Sequence, residues 1–228
     1  MKNLISAAIL GLGIALSGYF VYCGIDNFAQ KDRYVTVKGL SEREVIADKV
    51  TWNMTVSVSG NYLQNLYSQL TPAQNKLLNF LRQNGVTDDE IHISAPTATD
   101  RSDWYNWNEK RNSMDQYVVS GHVTVLSADV EKIRTINMKQ LELLDLGIML
   151  DGTYLEYEYT GLNELKPSMV EEATKNARVV ANKFAEDAQC HLGSIRNARQ
   201  GQFEVMSDDV FPHMRHVRVV TTIDYYLK

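Results

Sequence analysis

Apolar and polar residues alternate along several stretches of the chain, and this period of two predicts β-strands. The clearest stretch runs from Lys49 to Ser59, where every second residue from Val50 to Val58 is apolar and the residues between are Lys, Thr, Asn or Ser. One face of this strand is expected to pack on a core and the other to meet water or a polar partner. The same pattern, less cleanly, predicts strands over residues 34–38, 90–99, 116–126, 155–159, 194–205 and 216–227.

Three other stretches carry apolar residues at intervals of three and four, which predicts amphipathic helices. The first covers residues 62–83 and keeps its apolar stripe in phase across Pro72, so a kinked helix is favoured over a restarted one. The second covers residues 129–144 and the third residues 165–190. One side of the third helix carries Ala173, Ala177, Ala181, Phe184 and Ala188, and the small residues among them permit close approach to a sheet.

The order of these elements is β-β-α-β-β-α-β-α-β-β, with a strand-helix-strand-strand series over residues 49–126 and again over residues 148–227. The expected fold is therefore α+β, with an antiparallel sheet, helices packed on one face, and two related β-α-β-β halves.

An uncharged, mostly apolar run precedes these elements. It extends from Leu4 to Ile25 behind a single Lys2, and a helix of that length reaches roughly 33 Å, enough for a hydrocarbon layer of roughly 30 Å. We therefore expect one N-terminal transmembrane helix in residues 1–25, a short stalk in residues 26–33 and a single domain in residues 34–228. A cleaved signal peptide is the alternative, because Ala15 and Ser17 have the spacing of a cleavage site.

Charge restricts the partners of the chain without deciding its orientation in a membrane. Lys2 precedes the apolar run, and Lys31 and Arg33 follow it, so the count of positive charges favours neither orientation clearly. The short N-terminal flank and the large C-terminal domain favour export of the domain. The formal net charge is −5, and the basic residues are not clustered, so nucleic acid is not an expected partner. The two cysteines provide no disulfide framework.

Candidate chemistry is sparse. His213, Met214 and His216 offer imidazole and thioether ligands for a soft metal. Positions 213 and 216 of a strand point to opposite faces, however, and no further ligand with a suitable spacing is present in the sequence. Cys190 next to His191 is not a catalytic dyad by adjacency alone, and the acidic clusters at residues 88–90 and 208–209 flank turns. We expect no catalytic, cofactor-binding or metal-binding residues.

An aromatic loop is the most suggestive surface feature. Trp104, Tyr105 and Trp107 lie in a polar stretch between two predicted strands. Large aromatic side chains in such a place contact another subunit, touch lipid headgroups or fold back over their own sheet. These three aromatic residues are candidate interaction residues, and the sequence does not decide among subunit contact, lipid contact and packing on their own sheet.

Several short motifs together resemble one family. They are the hexapeptide YVTVKG at residues 34–39, the ADKV at residues 47–50, the SGH at residues 120–122 and the HLGS at residues 191–194. In this order they resemble the SIMPL-domain family of bacterial envelope proteins. The family's usual Gly-x-Gly is here Lys38-Gly39-Leu40-Ser41, and its Pro-Asp is here Ala47-Asp48.

The resemblance implies an α+β fold of related halves, a periplasmic or outer-surface location, ring-like oligomers in some members and a link to oxidative-stress tolerance. It implies no agreed catalytic residues.

We therefore expect a non-enzymatic protein, held in the inner (cytoplasmic) membrane by a single pass through residues 4–25, whose periplasmic domain forms homo-oligomers. Secretion to the periplasm after signal cleavage is the alternative location. The alternative functions are an envelope enzyme or metal or redox protein that uses His213, His216 or Cys190, and a binding module for a periplasmic partner.

Overall fold

The computed structural model of the chain describes residues 11–22, 33–101 and 115–228. Helix α1 covers residues 11–22. The remaining elements in chain order are β1 (Tyr34–Ile46), β2 (Lys49–Gly60), α2 (Leu63–Gln83), a short 3-10 helix (Asp88–Glu90), β3 (Ile91–Ile93), β4 (Thr97–Asp100), β5 (Tyr117–Ser127), α3 (Val130–Met138), α4 (Glu142–Asp145), β6 (Leu150–Glu158), α5 (Leu162–Asp187), β7 (Leu192–Gln200), β8 (Glu204–Ser207) and β9 (Met214–Leu227). The α+β class with antiparallel pairing is confirmed, and the strands form two sheets.

Contacts divide the chain into two compact units, each built from separate segments. The terminal unit contains Met1–Glu44, Asn163–Met206 and His216–Lys228, and the central unit contains Val45–Leu162 and Ser207–Arg215.

The central unit has a sheet in the order β3-β5-β2-β6, and β4 also pairs with β5. The alternation predicted for β2 is confirmed, because Trp52 and Met54 are fully buried while Asn53 between them is exposed. Helix α2 packs its leucine stripe on β2 and β5 and runs through Pro72 as one element. The buried face of the sheet and the helices thus share one apolar core.

The terminal unit has a sheet in the order β1-β9-β7, and β8 pairs with β9. Its core joins Val37, Ile223 and Tyr225 of the sheet to alanines of α5. The predicted small-residue stripe is confirmed at its centre and wrong at its end, because Phe184 is 55% exposed and Ala188 is exposed. The buried stripe follows a strict four-residue step instead: Met169, Ala173, Ala177, Ala181 and Ala185.

Gly39 explains one wrong boundary. The first strand was expected to end there, but β1 continues to Ile46. A Cβ atom at Gly39 would lie 1.8 Å from the carbonyl oxygen of Ala173, so this glycine permits the close approach of α5 and does not mark a turn.

Three predicted elements are each divided in two. The strand expected over residues 90–99 becomes β3 and β4, with Pro96, which has no N–H to donate, between them. The helix expected over residues 129–144 becomes α3 and α4, and the strand expected over residues 194–205 becomes β7 and β8. Asp129 begins α3 as expected, because its carboxylate accepts a hydrogen bond of 3.0 Å from the N–H of Lys132.

The expected membrane helix falls only partly within the described residues. Residues 11–22 are helical and exposed, and the rest of the run from Leu4 to Ile25 lies outside the described ranges. Among the helices that the structure describes, none is both long enough and apolar enough to cross a membrane. The N-terminal anchor stays a prediction.

Candidate functional site

The three aromatic residues predicted to make contacts, Trp104, Tyr105 and Trp107, lie outside the described residues. The described ends of their loop are close together, because the N–H of Arg101 donates a hydrogen bond of 2.8 Å to the carbonyl of Gln116. The loop therefore begins and ends at the β4–β5 end of the central sheet.

The two histidines considered as metal ligands each contact neighbouring side chains. In the central unit, His213 lies edge-on to Tyr157 and Phe211, with ring centroids 6.4 Å and 6.2 Å away. In the terminal unit, Nδ1 of His216 lies 3.7 Å from a carboxylate oxygen of Glu44. In the parts of the chain that the structure describes, no group of three or more His, Cys, Asp or Glu side chains is placed to hold a metal ion.

Cys190 lies where helix α5 ends. Gln189 has a left-handed backbone with φ of 55°, and the N–H of Cys190 donates a hydrogen bond of 2.9 Å to the carbonyl of Ala185. This pattern is a Schellman cap that satisfies a helix-end carbonyl. The half-buried free thiol is thus placed by the cap, and His191 uses its backbone to pair with Lys228.

The acidic clusters also have local structural partners. The carboxylate of Asp208 accepts hydrogen bonds from the backbone N–H groups of Val210 and Phe211, which closes a turn. Glu90 accepts from the Ser127 hydroxyl and the Thr87 N–H and pairs with Lys132 at 2.9 Å.

Glu90 has the most perturbed electrostatics of the described residues. Burial by itself raises the pKa of its carboxyl, but hydrogen bonds from Ser127, the backbone of Thr87 and Lys132 outweigh burial and lower the pKa to about 2. A carboxylate held so firmly in its ionised form is a poor proton donor or acceptor near neutral pH. Its role is to join β5, α3 and the turn before β3.

The outward face of the central sheet is polar and largely satisfies itself. The Thr124 hydroxyl donates to Asn53 at 2.8 Å, and the hydroxyls of Ser57 and Ser120 share a hydrogen bond of 2.8 Å. Between these pairs, the His122 ring lies at hydrogen-bond distance from two threonine hydroxyls, Thr55 and Thr97. These hydrogen bonds account for the polar half of the β2 pattern.

The outer edge of β6 is different, because β6 is the last strand of its sheet among the described residues. The carbonyl of Glu158 faces β2, where it accepts a hydrogen bond from the N–H of Asp48. The carbonyl of Tyr157 faces the other way and accepts from the Arg215 guanidinium. Since successive residues direct their backbone groups to opposite edges, Leu155 and Thr153 direct theirs outward.

Exposed apolar side chains lie in the segment that leads into β6. We call residues 138–149 the apolar segment. Its large exposed side chains are Met138, Leu141, Leu144, Leu146 and Met149. Exposed apolar groups in such density mark contact surfaces more often than reaction sites.

Local periodicity did not single out the β6 edge or the apolar segment. The high density of Leu and Met in residues 138–149 is the available signal, but the periodicity assigns residues 138–144 to the second amphipathic helix and indicates no exposed apolar surface there.

Comparison with known families bears on the identity of the chain. The model of the SIMPL family, described as a protein of unknown function (DUF541), matches residues 35–221. Comparison with curated proteins gives no match. The matched range covers the central sheet, helix α5 and most of the terminal sheet, and it includes all but the first residue of the motifs that carry the resemblance. The chain is therefore a member of the SIMPL family.

Proposed function

We propose that the protein is a non-enzymatic envelope protein that self-associates through its central unit. The observation that carries this proposal is the outer edge of β6, where Thr153 and Leu155 direct backbone N–H and C=O groups outward. Unpaired strand edges are templates for another strand, and a second copy supplies one.

Two neighbouring features favour a protein partner at this edge. Tyr154 on β6 is 64% exposed and lies opposite Asn53 on the polar face. The apolar segment precedes the strand. Aromatic and methionine side chains are enriched at interfaces, so an added strand would be flanked by surface suited to bind it.

Arg215 limits where a partner strand pairs. Its guanidinium donates one hydrogen bond to the Tyr157 carbonyl and another to the Ser207 hydroxyl. The carboxyl end of the β6 edge is therefore covered from within the central unit, and the partner is confined to the part near Thr153 and Leu155.

In this proposal the domain lies at a membrane. The run from Leu4 to Ile25 would cross the inner membrane once and leave the domain in the periplasm, and tethering would raise its local concentration. Signal cleavage with release to the periplasm is the alternative. A contribution to oxidative-stress tolerance rests on the family resemblance alone.

The test is the mass of the assembly after a charge is placed beside the edge. Edge lysines disfavour strand addition, so Tyr154→Lys in the full chain should lower the mass measured by light scattering toward that of a monomer. Tyr62→Lys is the matched control, since Tyr62 is another exposed tyrosine of the central unit.

Amide exchange provides a second measurement on the unaltered chain. The N–H of Leu155 should exchange faster after dilution dissociates the assembly. A chain that is monomeric at every concentration contradicts the proposal, and so does an equal loss of mass in both lysine variants.

A further inference from the structure

The central sheet has a cleft beside β2, next to Leu150, the first residue of β6. β6 pairs with β2 only as far as Leu150 opposite Val56, whereas β2 continues along β5 to Gly60. Among the described strands, none covers this side of β2 beyond Val56. The space has a volume of about 370 Å³, which is within the usual range for small-ligand sites. We call it the β2 cleft.

The backbone of β2 faces this cleft with hydrogen-bonding groups that no other backbone group of the described residues meets. Lys49 lies opposite Glu158, whose carbonyl faces β2, so the odd-numbered residues of β2 direct their backbone groups toward β6. β2 keeps an uninterrupted register against β5, and the same parity therefore holds for Ser57 and Ser59. Their N–H and C=O groups point into the cleft, where β6 no longer meets them.

A β-bulge supplies a carboxylate at one end of the cleft. Gly152 lies opposite Thr55 and Leu150 opposite Val56, so Asp151 is the extra residue. Its carboxylate lines the cleft and accepts a hydrogen bond of 3.0 Å from the Ser57 hydroxyl. Bulges commonly redirect a side chain in this way next to functional sites.

A basic residue, Arg101, lies toward the other end. Arg101 follows Asp100, which lies opposite Tyr117, and Tyr117 lies opposite Gly60. Arg101 also lines the cleft. No ion pair joins its guanidinium to a carboxylate among the described residues.

Part of the cleft lining is apolar. Val58 and Ala73 line it from β2 and α2, and Ile148 and Met149 line it from the segment before β6. The cleft thus combines an anion, a cation, an apolar wall and an unpaired strand edge.

We propose that the β2 cleft binds a short peptide with free termini and an apolar side chain, added as a strand along Ser57 and Ser59. The peptide ammonium lies at Asp151, its carboxylate at Arg101 and its side chain against Ile148 and Met149. Since two residues of a strand span about 7 Å, the stretch from Ser57 to Ser59 suits a dipeptide or tripeptide. Main-chain hydrogen bonds give such a site affinity, and the terminal charges give it selectivity.

The experiment is isothermal titration calorimetry, in which three probes are titrated into the full chain in lipid nanodiscs. The probes are the dipeptide Leu-Leu, its C-terminal amide, and its N-acetyl form. Leu-Leu should bind at one site per chain, and each blocked form should bind at least tenfold more weakly. The methyl NMR signal of Met149 should shift on saturation with Leu-Leu.

Variants assign the charges. Arg101→Gln should weaken the binding of Leu-Leu at least tenfold. This variant should also bind Leu-Leu and its amide equally, because the guanidinium that pairs with the peptide carboxylate is absent. Asp151→Asn should likewise weaken the binding of Leu-Leu at least tenfold, and it should bind Leu-Leu and the N-acetyl form equally. Arg178→Gln, which removes an exposed arginine of α5, is the control and should bind as the natural chain does.

Absence of saturable binding at millimolar Leu-Leu overturns the proposal. Equal binding of Leu-Leu and its amide to the natural chain also overturns it, as does an effect of Arg178→Gln as large as that of Arg101→Gln. Because Arg101 is exposed, its variant is expected to fold, and circular dichroism checks this.

Discussion

Replacement of Gly39 by alanine measures how closely helix α5 approaches strand β1. The new Cβ atom would lie 1.8 Å from the carbonyl oxygen of Ala173, 2.6 Å from the backbone nitrogen of Ala177 and 2.8 Å from the Cβ of Ala177. The two closest atoms belong to the helix backbone, so no side-chain rotation relieves the contact. The helix or the strand must move.

The size of the effect follows from that movement. Ordinary carbon contacts begin near 3.5 Å, so α5 would have to withdraw by about 1.7 Å, and a gap of even 1 Å forfeits up to about half of a dispersion contact. The withdrawal would loosen Ala177 and Ala181, which are fully buried against Val37 and Ile223. Overpacked cores lose about 1–3 kcal/mol and occasionally more, and we expect a loss of about 3 kcal/mol here because backbone atoms collide.

The assay is urea unfolding of the full chain followed by circular dichroism. Gly152→Ala is the control, since a Cβ at Gly152 would meet only Thr55, at 3.9 Å, and should change the free energy of unfolding by less than about 0.5 kcal/mol. If Gly39→Ala costs less than about 1 kcal/mol, the close approach of α5 to β1 is refuted.

Three further predictions concern acid stability, a helix end and the aromatic loop. Because the pKa of Glu90 is lowered from 4.5 to about 2 in the folded chain, its ionised form contributes stability above pH 4.5 that is lost as pH falls toward 2. Glu90→Gln should therefore lower the urea midpoint at pH 7 and flatten its decline between pH 5 and pH 2, and parallel declines in both proteins would contradict this. Gln189→Gly should stabilise the chain by about 1 kcal/mol in the same assay, because the left-handed φ of 55° strains any residue with a Cβ; a loss of stability would argue against the cap. If Trp104 and Trp107 contact another subunit, replacing both by alanine should lower the assembly mass, and an unchanged mass would eliminate that reading.

Local sequence pattern predicted the elements best where burial is one-sided. Strand β2 and helix α2 are found close to their predicted bounds, because a buried face requires apolar residues at every second position of a strand or every third to fourth position of a helix. The pattern misplaced Phe184, because an apolar residue on a helix is not necessarily on its buried side.

The site features lie beyond such patterns. Ser57 and Asp151 are 94 residues apart in sequence and meet only because β6 pairs with β2 and bulges at one residue. Arg101 lines the β2 cleft with them although β5 lies between β4 and β2 in the sheet.

The sequence by itself determined the α+β class, most of the strands and helices, the apolar N-terminal run and the membership of a family, because each of these depends on local periodicity, composition or ordered motifs. Only the tertiary structure decided which strands end a sheet, where β2 outlasts its partner and which charges share a cleft. The physical reason is that strand pairing joins residues far apart in the chain, and a local pattern records that a face is buried without recording what buries it.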